Sequence, residues 1–160
     1  MGAIFNVFPL LLIPVLIYNI WAFAATASQG HTSGAEIRDH LRSAFLRVPM
    51  ASSEPAASGI AGATQSVEWI FSFGDLLVFV SLILLFIELL KSTSTGTAAI
   101  FNHALSMLVF IVCLVEFLLH PAFATSTFFF ILVMALLDVL AGVVVTIVSA
   151  RRDVEFSGQH

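Results

Sequence analysis

Charge is what this chain has least of. Only 10% of its 160 residues are Asp, Glu, Lys or Arg, against roughly a quarter in an ordinary soluble domain. Lys and Arg together number six and the formal net charge is -4, so there is no basic surface on which to hold a phosphate backbone, and nucleic acid is excluded as a partner. The single cysteine, Cys113, excludes an internal disulfide and leaves the compartment unread from thiol chemistry. As a small apolar side chain in the middle of a hydrophobic run, it reads as inert. There is no phosphate loop, no zinc-protease helix, no Gly-x-Ser-x-Gly turn and no nucleophile with a base beside it. Enzymatic activity therefore has no positive support, a membrane enzyme would need a substrate pocket that the sequence does not reveal, and no cofactor or metal is expected. No internal repeat or inverted pair of halves marks a transporter of that design.

What fills the chain instead is apolar: 59% of residues are hydrophobic. They gather into runs long enough to cross a bilayer core about 30 Å thick, which takes roughly 20 helical residues. The expected fold is an all-α membrane protein, a single domain of four transmembrane helices over about residues 3–25, 68–90, 97–119 and 122–150. The last is longer than a bilayer needs and should tilt or project beyond it. In the first span, Pro9 and Pro14 each remove a helix donor and predict a kinked or partly irregular helix. Tyr18 and Trp21 suit the headgroup level. A secretory signal peptide is the rival reading, since ATAS at 25–28 offers a small-residue cleavage pattern. Against it, no Lys or Arg precedes the apolar run, and the run is longer than an ordinary signal core.

Residues 26–67 form a polar loop with one ordered island. Ser33 and Glu36 have the spacing of a capping box, and Ile37, Leu41, Ala44, Phe45 and Val48 share one helical face. An amphipathic helix over about 34–48 follows, lying in the membrane interface or capping the end of the bundle. The stretch PMASSEPAASGIAGATQ beyond it reads as a flexible linker. Short connections, KSTSTG and then little more than His120 and Pro121, make the last three spans antiparallel neighbours.

The spans carry polar residues that hydrocarbon does not welcome. A carboxylate at the bilayer centre costs roughly 2.5 to 3.5 kcal/mol on insertion scales, so it should pair, protonate or line a wet cavity. Antiparallel hairpins fix relative depth. Counting from the two turns places Glu88, His103 and Asp138 in one layer toward the termini, and Asp75, Glu116 and His120 in a second layer toward the loop. On the third span Asn102, Ser106, Cys113, Glu116 and His120 share one stripe, with His103 about 100° away. On the fourth, Thr127, Ala135, Asp138, Gly142 and Ser149 form a small and polar face that permits close approach. These six ionisable residues are the candidate site, either as a proton or cation relay or as hydrogen-bonding residues that set helix register.

Two functions follow. The leading one is a nonenzymatic accessory or assembly partner of a larger membrane complex, with other membrane subunits or further copies of itself as partners. It rests on the small size, the exposed Phe and Leu, and the seams of small residues. The alternative is a proton-coupled or cation-conducting unit. The expected location is a bacterial inner membrane. Both termini are expected in the cytoplasm, because Lys91, Arg151 and Arg152 lie directly against the spans whereas Arg38, Arg42 and Arg47 lie at or beyond the reach of the positive-inside rule. A reporter fused after Glu155 should be active only in its cytoplasmic form, and an extracytoplasmic signal overturns the orientation.

Overall fold

A computed structural model describes residues 8–29, 34–55, 64–91 and 97–157. In chain order these form α1 (Leu12–Gln29), α2 (Ala35–Arg42), β1 (Ala44–Pro55), β2 (Thr64–Ser72), α3 (Phe73–Lys91), α4 (Thr97–Leu119), a 3-10 turn (Pro121–Phe123) and α5 (Ser126–Ser157). Three helical stretches are long and apolar enough to cross a membrane: Phe73–Lys91, Ile100–Leu119 and Ser126–Val148. The apolar part of α1, Leu12–Ala24, is shorter. The chain is thus mostly helical and consistent with an all-α membrane protein, with three long apolar helices and one short one. As expected from its length, α5 continues beyond its apolar window, to Ser157.

The prolines of α1 act differently from the expected kink. Pro9 precedes the helix and its carbonyl accepts the first bond, from Leu12 N at 3.2 Å. Pro14 is the third helical residue, where its missing N–H is one that an α-helix cannot satisfy internally in any case. Helix α1 therefore runs unbroken from Leu12, while residues 3–7 of the expected span lie outside the described residues.

The loop departs most from expectation. The helix anticipated over 34–48 ends at Arg42, where Ser43 turns to an extended conformation (φ -59°, ψ 138°). Its proposed cap, Ser33, lies outside the described residues. Downstream, β1 pairs antiparallel with β2, with Leu46 opposite Phe71, Val48 opposite Trp69 and Met50 opposite Val67. The supposed linker thus supplies strand rather than coil over 49–55 and 64–65, and residues 68–72 belong to β2 rather than to a span. The reason is cross-strand pairing among β-branched and aromatic side chains, which outweighs a local helical pattern. At the junction, Ser72 Oγ accepts from Asp75 N at 3.2 Å while Asp75 Oδ2 accepts from Ser72 N at 3.0 Å. That reciprocal capping box starts α3.

Of the two roles considered for α2, capping the bundle is the one its contacts match. Ile37 and Leu41 are buried in the same core as Tyr18, Phe123, Phe128 and Ile131. A Cβ on Gly34 would stand 2.5 Å from the Pro121 carbonyl oxygen, so only glycine lets α2 sit this close to the α4–α5 turn. Tyr18 is fully buried within the bundle, beside the α4–α5 turn. Its ring lies 4.7 Å from that of Phe128 and 5.5 Å from that of Phe123. Trp21 is half-buried and meets His40 edge-on at 5.2 Å.

Candidate functional site

At the end of the bundle where α1 begins, α3 ends and α4 begins, one carboxylate gathers the ends of three elements. Glu88 has no exposed surface. Its Oε2 accepts from Leu10 N at 2.9 Å, Lys91 Nζ lies 3.0 Å from Oε1, and Asn102 Nδ2 donates to Oε1. Lys91 Nζ also donates to the Phe8 carbonyl at 2.7 Å and to Asn102 Oδ1 at 3.2 Å. The ammonium has three protons and here meets three acceptor groups. The orientation of the Asn102 amide follows from chemistry, with its oxygen toward the cation and its nitrogen toward the anion. Backbone charge favours Lys91 in the last turn of α3, while Glu88, which shares that turn, is compensated by standing at the amino end of α1.

Asp138, on α5, is buried at 5% exposure. Glu88, Lys91 and His103 all lie within electrostatic range of it, and Ser106 of α4 lies beside it outside hydrogen-bonding geometry. Glu88 and His103 are the residues expected with Asp138 in the layer toward the termini. Its direct bonds differ: Glu88 is held by Asn102 and Lys91, and His103 turns to α5, where its ring fills the space that a Cβ on Gly142 would need. His103 Nδ1 and Ser106 Oγ are buried without a hydrogen-bond partner.

The expected outer layer separates into three local duties. Glu116 Oε2 accepts from Asn19 Nδ2 at 3.2 Å, which joins α4 to α1. His120 caps the 3-10 turn, with Nδ1 accepting from Ala122 N at 3.3 Å and its ring against Phe123. Asp75 is exposed and held by Ser72, with Ser72 Oγ donating to Oδ2 at 2.7 Å. Glu116 and His120, the latter just past the end of α4, interact electrostatically. Among the described residues no group of three or more His, Cys, Asp or Glu is placed to hold a metal.

A further polar junction escaped the sequence reading. The Tyr18 hydroxyl donates to the Ala122 carbonyl at 3.0 Å and lies 2.6 Å from Thr125 Oγ1. Thr125 in turn accepts from Phe128 N at 3.1 Å, the amino-terminal cap of α5. With the single Tyr18 proton committed to Ala122, Thr125 donates to Tyr18 and accepts from Phe128, so every atom is used. Lys91, Asn19, Tyr18 and Thr125 all join elements yet stood outside the candidate list. Lys91 was detectable at three residues from Glu88, the spacing of helical neighbours. Asn19 was detectable as a lone amide in an apolar run.

Compared with known protein families, curated proteins and solved structures, the chain matches none.

The Glu88–Lys91 pair should be strongly coupled. Glu88→Gln or Lys91→Met alone leaves a buried charge without its counterion and should destabilise by about 3 to 5 kcal/mol, with the double variant recovering much of that loss. Cys113, fully buried, supplies the readout, because its maleimide reactivity in detergent rises as the bundle opens. Additive losses in the double variant would show the pair to be energetically independent.

Proposed function

We propose that this chain is a nonenzymatic, four-span protein of a bacterial inner membrane, with its termini cytoplasmic, that serves as an accessory or assembly partner of a larger membrane complex. The observation that carries this reading is the use made of its polar groups. Glu88, Lys91, Asn102, Tyr18, Thr125, Asn19 and Glu116 are bonded to one another or to backbone across helices. These polar groups serve the bundle's own assembly. What it offers outward is apolar, including an open groove of about 400 Å3 along α3 lined by Leu82, Ile83, Leu85, Phe86 and Leu89. A second membrane helix can fill such a groove by van der Waals contact, the main source of helix association in lipid. A photoreactive phenylalanine analogue at Phe86 should crosslink a discrete membrane protein that co-purifies stoichiometrically in mild detergent. Isolation as a lone monomer in several detergents, without a crosslinked product, overturns the reading.

A proton-coupled or cation-conducting unit is the second reading, and a specific observation favours it. His103 Nδ1 and Ser106 Oγ are buried and unpartnered in the neighbourhood of Asp138, and polar atoms in that state call for a water or an ion. In this reading Asp138, His103 and Glu88 carry the charge. Asp138→Asn should then abolish flux in reconstituted vesicles, and unchanged flux removes the conducting model.

A further inference from the structure

One face of the hairpin β1–β2 is apolar and the other is mixed. Strand alternation and the observed register put Leu46, Val48 and Met50 on the same face as Phe71, Trp69 and Val67. The opposite face carries Arg47 beside Ile70 and Pro49 beside Glu68, with an Arg47–Glu68 ion pair at 3.7 Å. Nothing in the described protein covers the apolar face: Met50, Val67 and Trp69 are 54%, 54% and 49% exposed. Beyond its own two strands, the hairpin packs chiefly against the start of α3.

Where this face begins identifies what covers it. Strand β2 passes directly into α3, whose first residue, Phe73, is also the first residue of a membrane-length apolar stretch. The base of the hairpin therefore stands at the edge of the hydrocarbon. From there a ladder of rings runs both outward and back to the bundle. Trp69 lies 5.7 Å from Phe71, Phe71 6.4 Å from Phe45, Phe45 5.5 Å from Phe73, Phe73 5.6 Å from His40, and His40 5.2 Å from Trp21. Trp69 and Trp21, at the two ends of this ladder, are of the residue type enriched at membrane interfaces.

Upright, the hairpin would carry Met50 and Val67 about 20 Å from the membrane edge, at about 3.3 Å per residue, with six apolar side chains in water. Lying flat, it buries them. Its two unpaired strand edges keep it out of the hydrocarbon, where free backbone groups are not tolerated, and hold it at headgroup depth where water still reaches.

We infer that the β1–β2 hairpin is a membrane-surface element that lies along the bilayer on the loop side, with Leu46, Val48, Met50, Val67, Trp69 and Phe71 set into the headgroup and upper acyl layer and Arg47 and Glu68 facing water. It binds the lipid surface in addition to whatever the transmembrane helices assemble with.

The test uses the full chain with Trp21→Phe, which leaves Trp69 as the only tryptophan. In phosphatidylcholine vesicles, replacing the lipid with one brominated near the top of its acyl chains should lower Trp69 emission about twofold or more, with little quenching by aqueous iodide. Iodide quenching without bromolipid quenching places the hairpin in water and overturns the inference. Protection from both quenchers places a second copy of the chain over this face and overturns it equally. Should Trp21→Phe fail to fold, a nitroxide on Met50→Cys in a Cys113→Ser chain reads the same property. Faster collisional relaxation with oxygen than with a water-soluble nickel chelate is expected, and the reverse order refutes it.

Discussion

Glu88 has to be neutralised and hydrogen-bonded where it stands, because an isolated carboxylate taken out of water costs several kcal/mol even after its surroundings relax. That requirement organises one end of the molecule. Meeting it takes a cation from the same helix, an amide from the next, and a backbone N–H from the start of α1. Each donor fixes the position of the element that carries it. The 3-10 bonded entry into α1, the close of α3 and the start of α4 are held together by a single side chain. No single apolar contact could do this, since apolar attraction has no direction and would permit the helices to slide or rotate against one another.

The other end is pinned by a neutral group. Tyr18 lies eight residues beyond Leu10, about 12 Å along the chain at 1.5 Å per residue, and its hydroxyl ties α1 to the α4–α5 turn through Ala122 and Thr125. A buried phenol supplies a large apolar ring and one polar atom that must be satisfied, so it both fills the core beside Phe123 and Phe128 and fixes the register. Between the two pins the interior is apolar or small, with Cys113 fully enclosed. The layer around Asp138 differs from both ends. There His103 Nδ1 and Ser106 Oγ are buried without a hydrogen-bond partner.

Parts of this were legible in advance. The three long apolar helices follow from run length alone. His103 also turns away from the Asn102 and Ser106 stripe, as 100° per residue requires. The hairpin was not legible. Its residues 44–48 fit a helical face as well as a strand, and only the partner strand some twenty residues later resolves the ambiguity. A local cue did exist, since Ser72 and Asp75 have capping-box spacing and mark the true start of α3. The outer layer failed for another reason: equal depth does not imply contact, and Asp75, Glu116 and His120 each found a partner nearer in sequence or on a different helix.

The sequence by itself determined the membrane character of the chain and where its long apolar helices run. Those properties depend on composition and on the constant rise of a helix, both of which are local. Tertiary structure alone decided that Glu88 belongs to Asn102 and the start of α1 rather than to His103, that Tyr18 faces inward, and that the polar loop becomes a two-faced hairpin. Each of those outcomes depends on which side of one element meets another, a rotation and a pairing that hydrogen bonds between distant residues select and that no local pattern carries.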